Sequence, residues 1–209
     1  MAPGKITPLI QQYLEIKEQY AEYILFYRMG DFYEMFFEDA HTASRELEIT
    51  LTARNKHEET AVPMCGVPAK AVEGYIGRLI EKGFKVAICD QTEDPAAAKG
   101  LVKRDVVRVV TPGMVINDDL LDEKTNNFVI ALVLGETANG IASLDISTGT
   151  FRLAESADRH ILFEEALRVA PSEVVMPAAA RSDPAYAQFL EAFASKAATF
   201  LEDPVFDFK

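Results

Sequence analysis

The sequence predicts an α/β protein in two parts, and three patterns carry that expectation. Over residues 7–112, apolar stripes at helical spacing alternate with short β-branched and aromatic runs, the mark of helices laid on a mixed sheet. Thr111-Pro112-Gly113 then breaks the pattern, and a polar, acidic stretch over 117–127 follows. Beyond it come three consecutive strand signals, and only afterwards alternating helices and strands. The chain has 209 residues, 49% of them hydrophobic, so it can build one large core or two smaller ones. The domains are accordingly drawn as residues 1–113 and 127–209, with a linker over 114–126.

Taken in order, Thr7-Pro8 opens the first helix, with Thr as N-cap and Pro at the first helical position. Leu9, Ile10, Tyr13, Leu14 and Tyr20 mark its apolar face. A strand is expected over 23–29, then a turn at Gly30, then a helix from about residue 34 to 47 striped by Phe36, Ala40, Ala43 and Leu47. Residues 49–53 read as a second strand. A polar loop is expected over 54–60, continuing through Pro63-Met64-Cys65-Gly66-Val67-Pro68. Val72, Tyr75, Ile76, Leu79 and Ile80 form one stripe of a helix that Gly83 stops. Strands over 84–89 and 106–111 complete the first part.

The second part opens with strands over 128–134, 141–146 and 151–154, joined by turns at 136–140 and at Ser147-Thr148-Gly149. A helix near 160–169, a strand over 173–176, a helix after Ser182-Asp183-Pro184 and a short strand over 199–201 follow. The second of these helices is striped by Tyr186, Phe189, Leu190 and Phe193. Three antiparallel strands succeeded by alternating helices and strands match a ribonuclease-H-like layout.

Composition narrows the functional classes. No run approaches the ~20 apolar residues of a membrane-spanning helix, and the first residues lack a signal-peptide apolar region. The two cysteines, Cys65 and Cys89, form no CxxC pair, so a reduced, cytoplasmic setting is expected. The net charge is −12, unevenly spread. Residues 1–112 carry 14 Lys+Arg against 17 Asp+Glu, a net −3; residues 113–209 carry 7 against 16, a net −9. The acidic second half is a poor surface for phosphates, and even the first half should bind DNA weakly by itself.

The most informative stretch is Gly30-Asp31-Phe32-Tyr33-Glu34, placed by the expected elements where an apolar strand gives way to a helix. A Phe at such a junction can project from the surface, and a projecting apolar wedge is how minor-groove proteins part a base step and kink a duplex. A carboxylate beside it can accept a hydrogen bond from a base edge, although phosphates make it electrostatically unwelcome. Taken alone, the same residues read more readily as ordinary core residues, as most of the 13 Phe do, than as a wedge.

Three flanking segments appear in order and spacing: Pro63-Met64-Cys65-Gly66-Val67-Pro68, Val86-Ala87-Ile88-Cys89-Asp90-Gln91 and Arg108-Val109-Val110-Thr111-Pro112-Gly113. With the Gly30–Glu34 motif, over about residues 7–150, they make the chain resemble the MutS family of DNA mismatch repair proteins. The resemblance implies a mismatch-recognition domain followed by a ribonuclease-H-like connector domain. It implies that Phe32 stacks on the mispaired base and that Glu34 bonds it. Arg54, Lys56 and Met64, on the expected loop, are further candidate DNA contacts, whereas Arg108 is equally an ordinary strand-edge charge. The implied partners are mismatched double-stranded DNA, a MutL-like protein on the connector, and a second copy in a full-length homodimer.

No Gly-x-x-x-x-Gly-Lys-Ser/Thr phosphate loop occurs. By the resemblance, ATP and Mg belong to a C-terminal domain, and that domain and the connector's last elements would lie beyond Lys209. No cofactor, metal or catalytic residue is therefore expected within these residues. His41, His57 and His160 have no metal-ligand spacing, and His57 with Cys65 supplies too few ligands. A metal-dependent nuclease is the alternative that the fold raises, with Asp145, Glu164 and Glu165 as candidate carboxylates. The first strand of that domain, 128–134, contributes no carboxylate, and a shared fold does not confer activity. A pure protein-interaction module is the third reading.

Overall fold

The computed structural model describes residues 7–54, 61–93, 100–114, 126–202 and 205. Its contacts divide the chain into two units, Met1–Val110 and Thr111–Lys209. The first holds helix α1 (Pro8–Gln19), strands β1 (Ile24–Met29) and β2 (Phe32–Phe36), helix α2 (Phe37–Leu47), and strands β3 (Thr52–Arg54) and β4 (Val62–Pro68). Helix α3 (Val72–Glu81) and strands β5 (Val86–Gln91) and β6 (Arg104–Val110) complete it. The six strands form one sheet in the order β3-β4-β2-β1-β5-β6, in which only β1 and β5 run parallel.

Strand alternation sends side chains to two faces, and each face has its own cover. On one, Leu25, Tyr27, Phe36, Ala87 and Cys89 pack against Ile10, Tyr13 and Ile16 of α1. Thr7 caps that helix by accepting from the Ile10 amide, as its Thr-Pro start predicts. Asp39 ties the two layers together, for its carboxylate accepts from the Leu25 amide (2.9 Å), the Tyr13 hydroxyl (3.0 Å) and the Lys17 ammonium (2.9 Å). On the opposite face α2 packs on β4, where Cys65 gives its thiol hydrogen bond to the Ala40 carbonyl. Helix α3 ends as expected: Gly83, at φ +84, donates to Ile80, and Phe84 donates to Leu79.

Two expectations for this unit are corrected. The helix expected from residue 34 begins at Phe37, because 32–36 form β2. Gly30-Asp31 is the two-residue loop of a hairpin in which Met29 pairs with Phe32. Gly30 has φ +58 and Asp31 no positive φ, the pattern of a turn whose first central residue is Gly. The loop expected through Pro63 to Pro68 is β4, an interior strand. Its prolines are tolerated because Pro68 is the last residue and Pro63 faces only the three-residue β3, at Ala53. Smaller shifts place β3 at Thr52–Arg54, so Arg54 is a strand residue.

The second unit holds strands β7 (Phe128–Leu134), β8 (Asn139–Asp145) and β9 (Thr150–Ser156), then helix α4 (Arg159–Val169) and strand β10 (Glu173–Pro177). Helix α5 (Ala187–Ala192) and strand β11 (Ala197–Leu201) follow. The sheet order is β11-β10-β7-β8-β9. β7, β8 and β9 make an antiparallel meander, β10 runs parallel to β7, and β11 runs parallel to β10. This is the expected ribonuclease-H-like arrangement. One face is closed by α4 and α5, where Ile130, Leu132, Ile141, Leu162, Met176 and Phe189 share a core. A short turn, Pro112–Met114, belongs to this unit: Asn127 donates to the Pro112 carbonyl (2.8 Å), and the Gly113 amide donates to Glu173 (3.2 Å).

Candidate nucleic-acid interface

The hairpin of β1 and β2 determines where the motif points. Within Phe32–Phe36 the side chains alternate, so Tyr33 and Met35 are buried on one face while Phe32, Glu34 and Phe36 share the other. α1 covers that second face over Tyr27 and Phe36, both fully buried, and leaves Phe32 48% exposed. Phe32 is thus the exposed end of that face, beside the turn.

The turn itself is braced. Arg28 donates to the Gly30 carbonyl (2.6 Å) and lies over the Tyr33 ring at 5.1 Å, and the Tyr33 hydroxyl donates to Asp90 (2.9 Å). The Ala69 amide donates to the Asp31 carbonyl (2.8 Å), which ties the turn to the end of β4. Phe32 lies in an open hollow of about 660 Å³ shared with Arg28, Asp31, Pro68, Ala69 and Lys70. The hollow thus sets the exposed Phe32 ring beside two cations, Arg28 and Lys70, and one carboxylate, Asp31.

Glu34 is half-buried, opposite Tyr27 on one side and Gly66 on the other. Gly66 has no side chain to stand in its way; a Cβ there would approach the Glu34 Cγ to 3.5 Å. Burial pushes the Glu34 carboxyl above the usual carboxylate range, and the Arg54 guanidinium, 3.4 Å away, opposes that rise in part.

Four of the five expected residues therefore fall on one face of the sheet. Phe32 and Glu34 lie on β2, Arg54 on β3 and Met64 on β4, with Met64 half-buried against the α1 core. Lys56 lies outside the described residues. The sequence reading missed the contact between Arg54 and Glu34 and the brace that Arg28 provides. The two-residue Gly-Asp turn signal would have exposed the hairpin that Arg28 braces, because it makes 32, 34 and 36 a strand face instead of a helix start; the Arg54 contact depends on the long-range placing of β4 between β3 and β2.

The candidate nuclease carboxylates do not converge. Asp145 is fully buried at the end of β8, where its Oδ1 accepts from the Ser147 amide and hydroxyl. Burial opposes its charge, but those bonds and others from Thr148 outweigh it and hold the carboxyl below the usual range. On α4, Glu165 is paired with Arg168 (2.5 Å) and Glu164 faces His160 (3.9 Å). Among the described residues no group of three His, Cys, Asp or Glu could hold a metal, and no helix is long and apolar enough to cross a membrane. His57 lies outside the described residues.

Comparison with known proteins gives the geometry a context. Residues 7–119 match the family model MutS domain I, and residues 127–203 match MutS domain II. A DNA mismatch repair protein MutS from Desulfosudis oleivorans is 58% identical over 209 residues, which is all of this chain and 24% of the relative. The protein of that name from Desulforapulum autotrophicum is 52% identical over 198 residues, 92% of this chain and 22% of its own length. A third, from Desulfatibacillum aliphaticivorans, is 55% identical over 177 residues, covering 85% and 20%. The chain thus spans about a quarter or less of the length of these curated relatives.

Proposed function

The chain belongs to the MutS family, and on that premise we propose that its first domain, drawn as residues 1–113, recognises mismatched DNA with Phe32 as a wedge. One observation carries this reading: Phe32 stands half-exposed beside a braced hairpin turn, with Glu34 two residues on and on the same face. Unstacking a base step costs a few kcal/mol, and least where the bases are mispaired. A wedge therefore reports local weakness of the duplex without reading sequence. Glu34 adds a hydrogen bond to a base, accepting one when ionised and able to donate one when protonated. Met64 and Lys56 are flanking contacts, and Arg54, on the edge strand β3, pairs with Glu34.

The second domain, drawn as residues 127–209, acts as a connector and as a docking surface for a MutL-like partner. ATP hydrolysis and homodimer formation belong to the full-length protein, which works in the cytoplasm on mismatched duplexes. A competition binding assay at defined salt, with mismatched and matched duplexes, tests the wedge. The full-length protein should prefer the mismatch and its Phe32→Ala variant should not. A variant that keeps the full preference removes the wedge from the mechanism.

A further inference from the structure

We propose that Arg54 is the positioning residue of the base-reading carboxylate, fixing where Glu34 points and the charge it carries; this rests on the reading of Glu34 given above. The two side chains come from strands that are not neighbours. β4 lies between β3 and β2; opposite Glu34 it carries Gly66, which has no side chain, and opposite Arg54 it carries Val62. Arg54 Nη1 reaches Glu34 Oε2 at 3.4 Å, with the two side chains 35% and 19% exposed. An isolated surface pair has little effect of this kind, but a half-desolvated carboxylate responds strongly to its one cation.

The surroundings make Arg54 decisive. The strands flanking Glu34 bring Tyr27 from β1 and Gly66 from β4, and beyond Tyr27 comes the Arg104 guanidinium of β6, stacked on the tyrosine ring at 4.9 Å. Tyr27 donates its hydroxyl to Gln12, and Arg104 donates to the carbonyls of Arg28 and Val102. Among the described residues, Arg54 is the one ion-pair partner of Glu34. With Arg54 in place Glu34 is held in one orientation and retains its charge to lower pH. Without it, burial alone acts, and the carboxyl takes up its proton at higher pH. The protonation state decides whether a base is offered an acceptor or a donor.

The test measures, in the full-length protein, the affinity ratio for a duplex carrying a single G·T mismatch over its matched counterpart, as a function of pH. The variants are Arg54→Gln, Arg54→Lys, Glu34→Gln and the double variant Arg54→Gln/Glu34→Gln. The wild-type ratio should change with pH and Glu34→Gln should flatten it. Arg54→Gln should move the midpoint to higher pH, Arg54→Lys should return it towards wild type, and the double variant should match Glu34→Gln alone. A wild-type ratio independent of pH, or an unmoved midpoint in Arg54→Gln, overturns the proposal. So does an Arg54→Gln variant that weakens both duplexes equally and lowers the salt slope by about one, which is the behaviour of a phosphate contact. Phe32→Ala separates the levels: if it keeps mismatch preference the wedge reading fails, and if it loses preference while Arg54→Gln keeps the wild-type profile, only the role of Arg54 fails.

Discussion

Phe32 and Phe36 sit on the same face of the same strand, and their exposures of 48% and 0% assign them opposite roles. Phe36 touches the Tyr13 ring edge-on at 5.0 Å and belongs to the α1 core, so Phe36→Ala should cost roughly 3–5 kcal/mol. Phe32→Ala removes a side chain that is already half in water and should cost about 1 kcal/mol. Denaturant midpoints of the two variants check this, and equal losses would make Phe32 a core residue. The cysteines invite a second comparison at this scale. Burial pushes the Cys65 and Cys89 thiols up to about 12 each, so almost no thiolate exists at neutral pH. Both should resist thiol reagents in the native protein and react promptly once denaturant exposes them. Fast labelling without denaturant would contradict their placement.

At the scale of elements, two glycines are predicted to fail for different reasons. Gly30 has open space around it but φ +58, so Gly30→Ala meets only backbone strain of about 1 kcal/mol. Gly113 has no positive φ, yet a Cβ there would lie 2.2 Å from Val129 Cγ2 and 2.8 Å from Glu173 Cβ. Gly113→Ala therefore overpacks the turn against β7 and β10, at roughly 1–3 kcal/mol. Amide exchange should quicken in β7 and β10 for Gly113→Ala, and in the β1–β2 hairpin for Gly30→Ala. The elements also show what the sequence could reveal. α1, α3, α4 and the β7–β8–β9 meander were legible because a capping Thr-Pro, a terminating Gly83 and regular alternation act locally. β4 was not, since two prolines and a glycine hide a strand whose pairing with β2 and β3 is a long-range property. β2 was misread as helix because Phe36, Ala40, Ala43 and Leu47 keep a helical period across the strand-to-helix junction, where Phe37 takes φ +53. At the site, Phe32 and Glu34 were legible from their motif, whereas the Arg54 contact depends on β4 lying between β3 and β2.

For the whole molecule, charge argues for a division of labour between the two halves. Residues 1–112 carry a net −3 and hold Phe32, the proposed wedge, with the Arg28 brace and Lys70 beside it. Residues 113–209 carry a net −9; of their candidate carboxylates, Asp145 accepts at Oδ1 from Ser147 and Glu165 pairs with Arg168. Phosphate contacts supply most nonspecific affinity for a duplex, and a surface of like charge is kept from making them. An acidic surface is instead complementary to a basic protein, and such complementarity speeds and orients association. Every DNA contact made by these residues is therefore predicted to fall in the first half, leaving the second to join and dock. Amide-exchange mapping of the full-length protein on a mismatched duplex measures this directly. Protection should centre on Gly30 to Glu34 and on the strand ends around Arg54 and Pro68. Protection confined to β7, β8 and β9, with none at the hairpin, would reverse the assignment and make the acidic half the nucleic-acid surface.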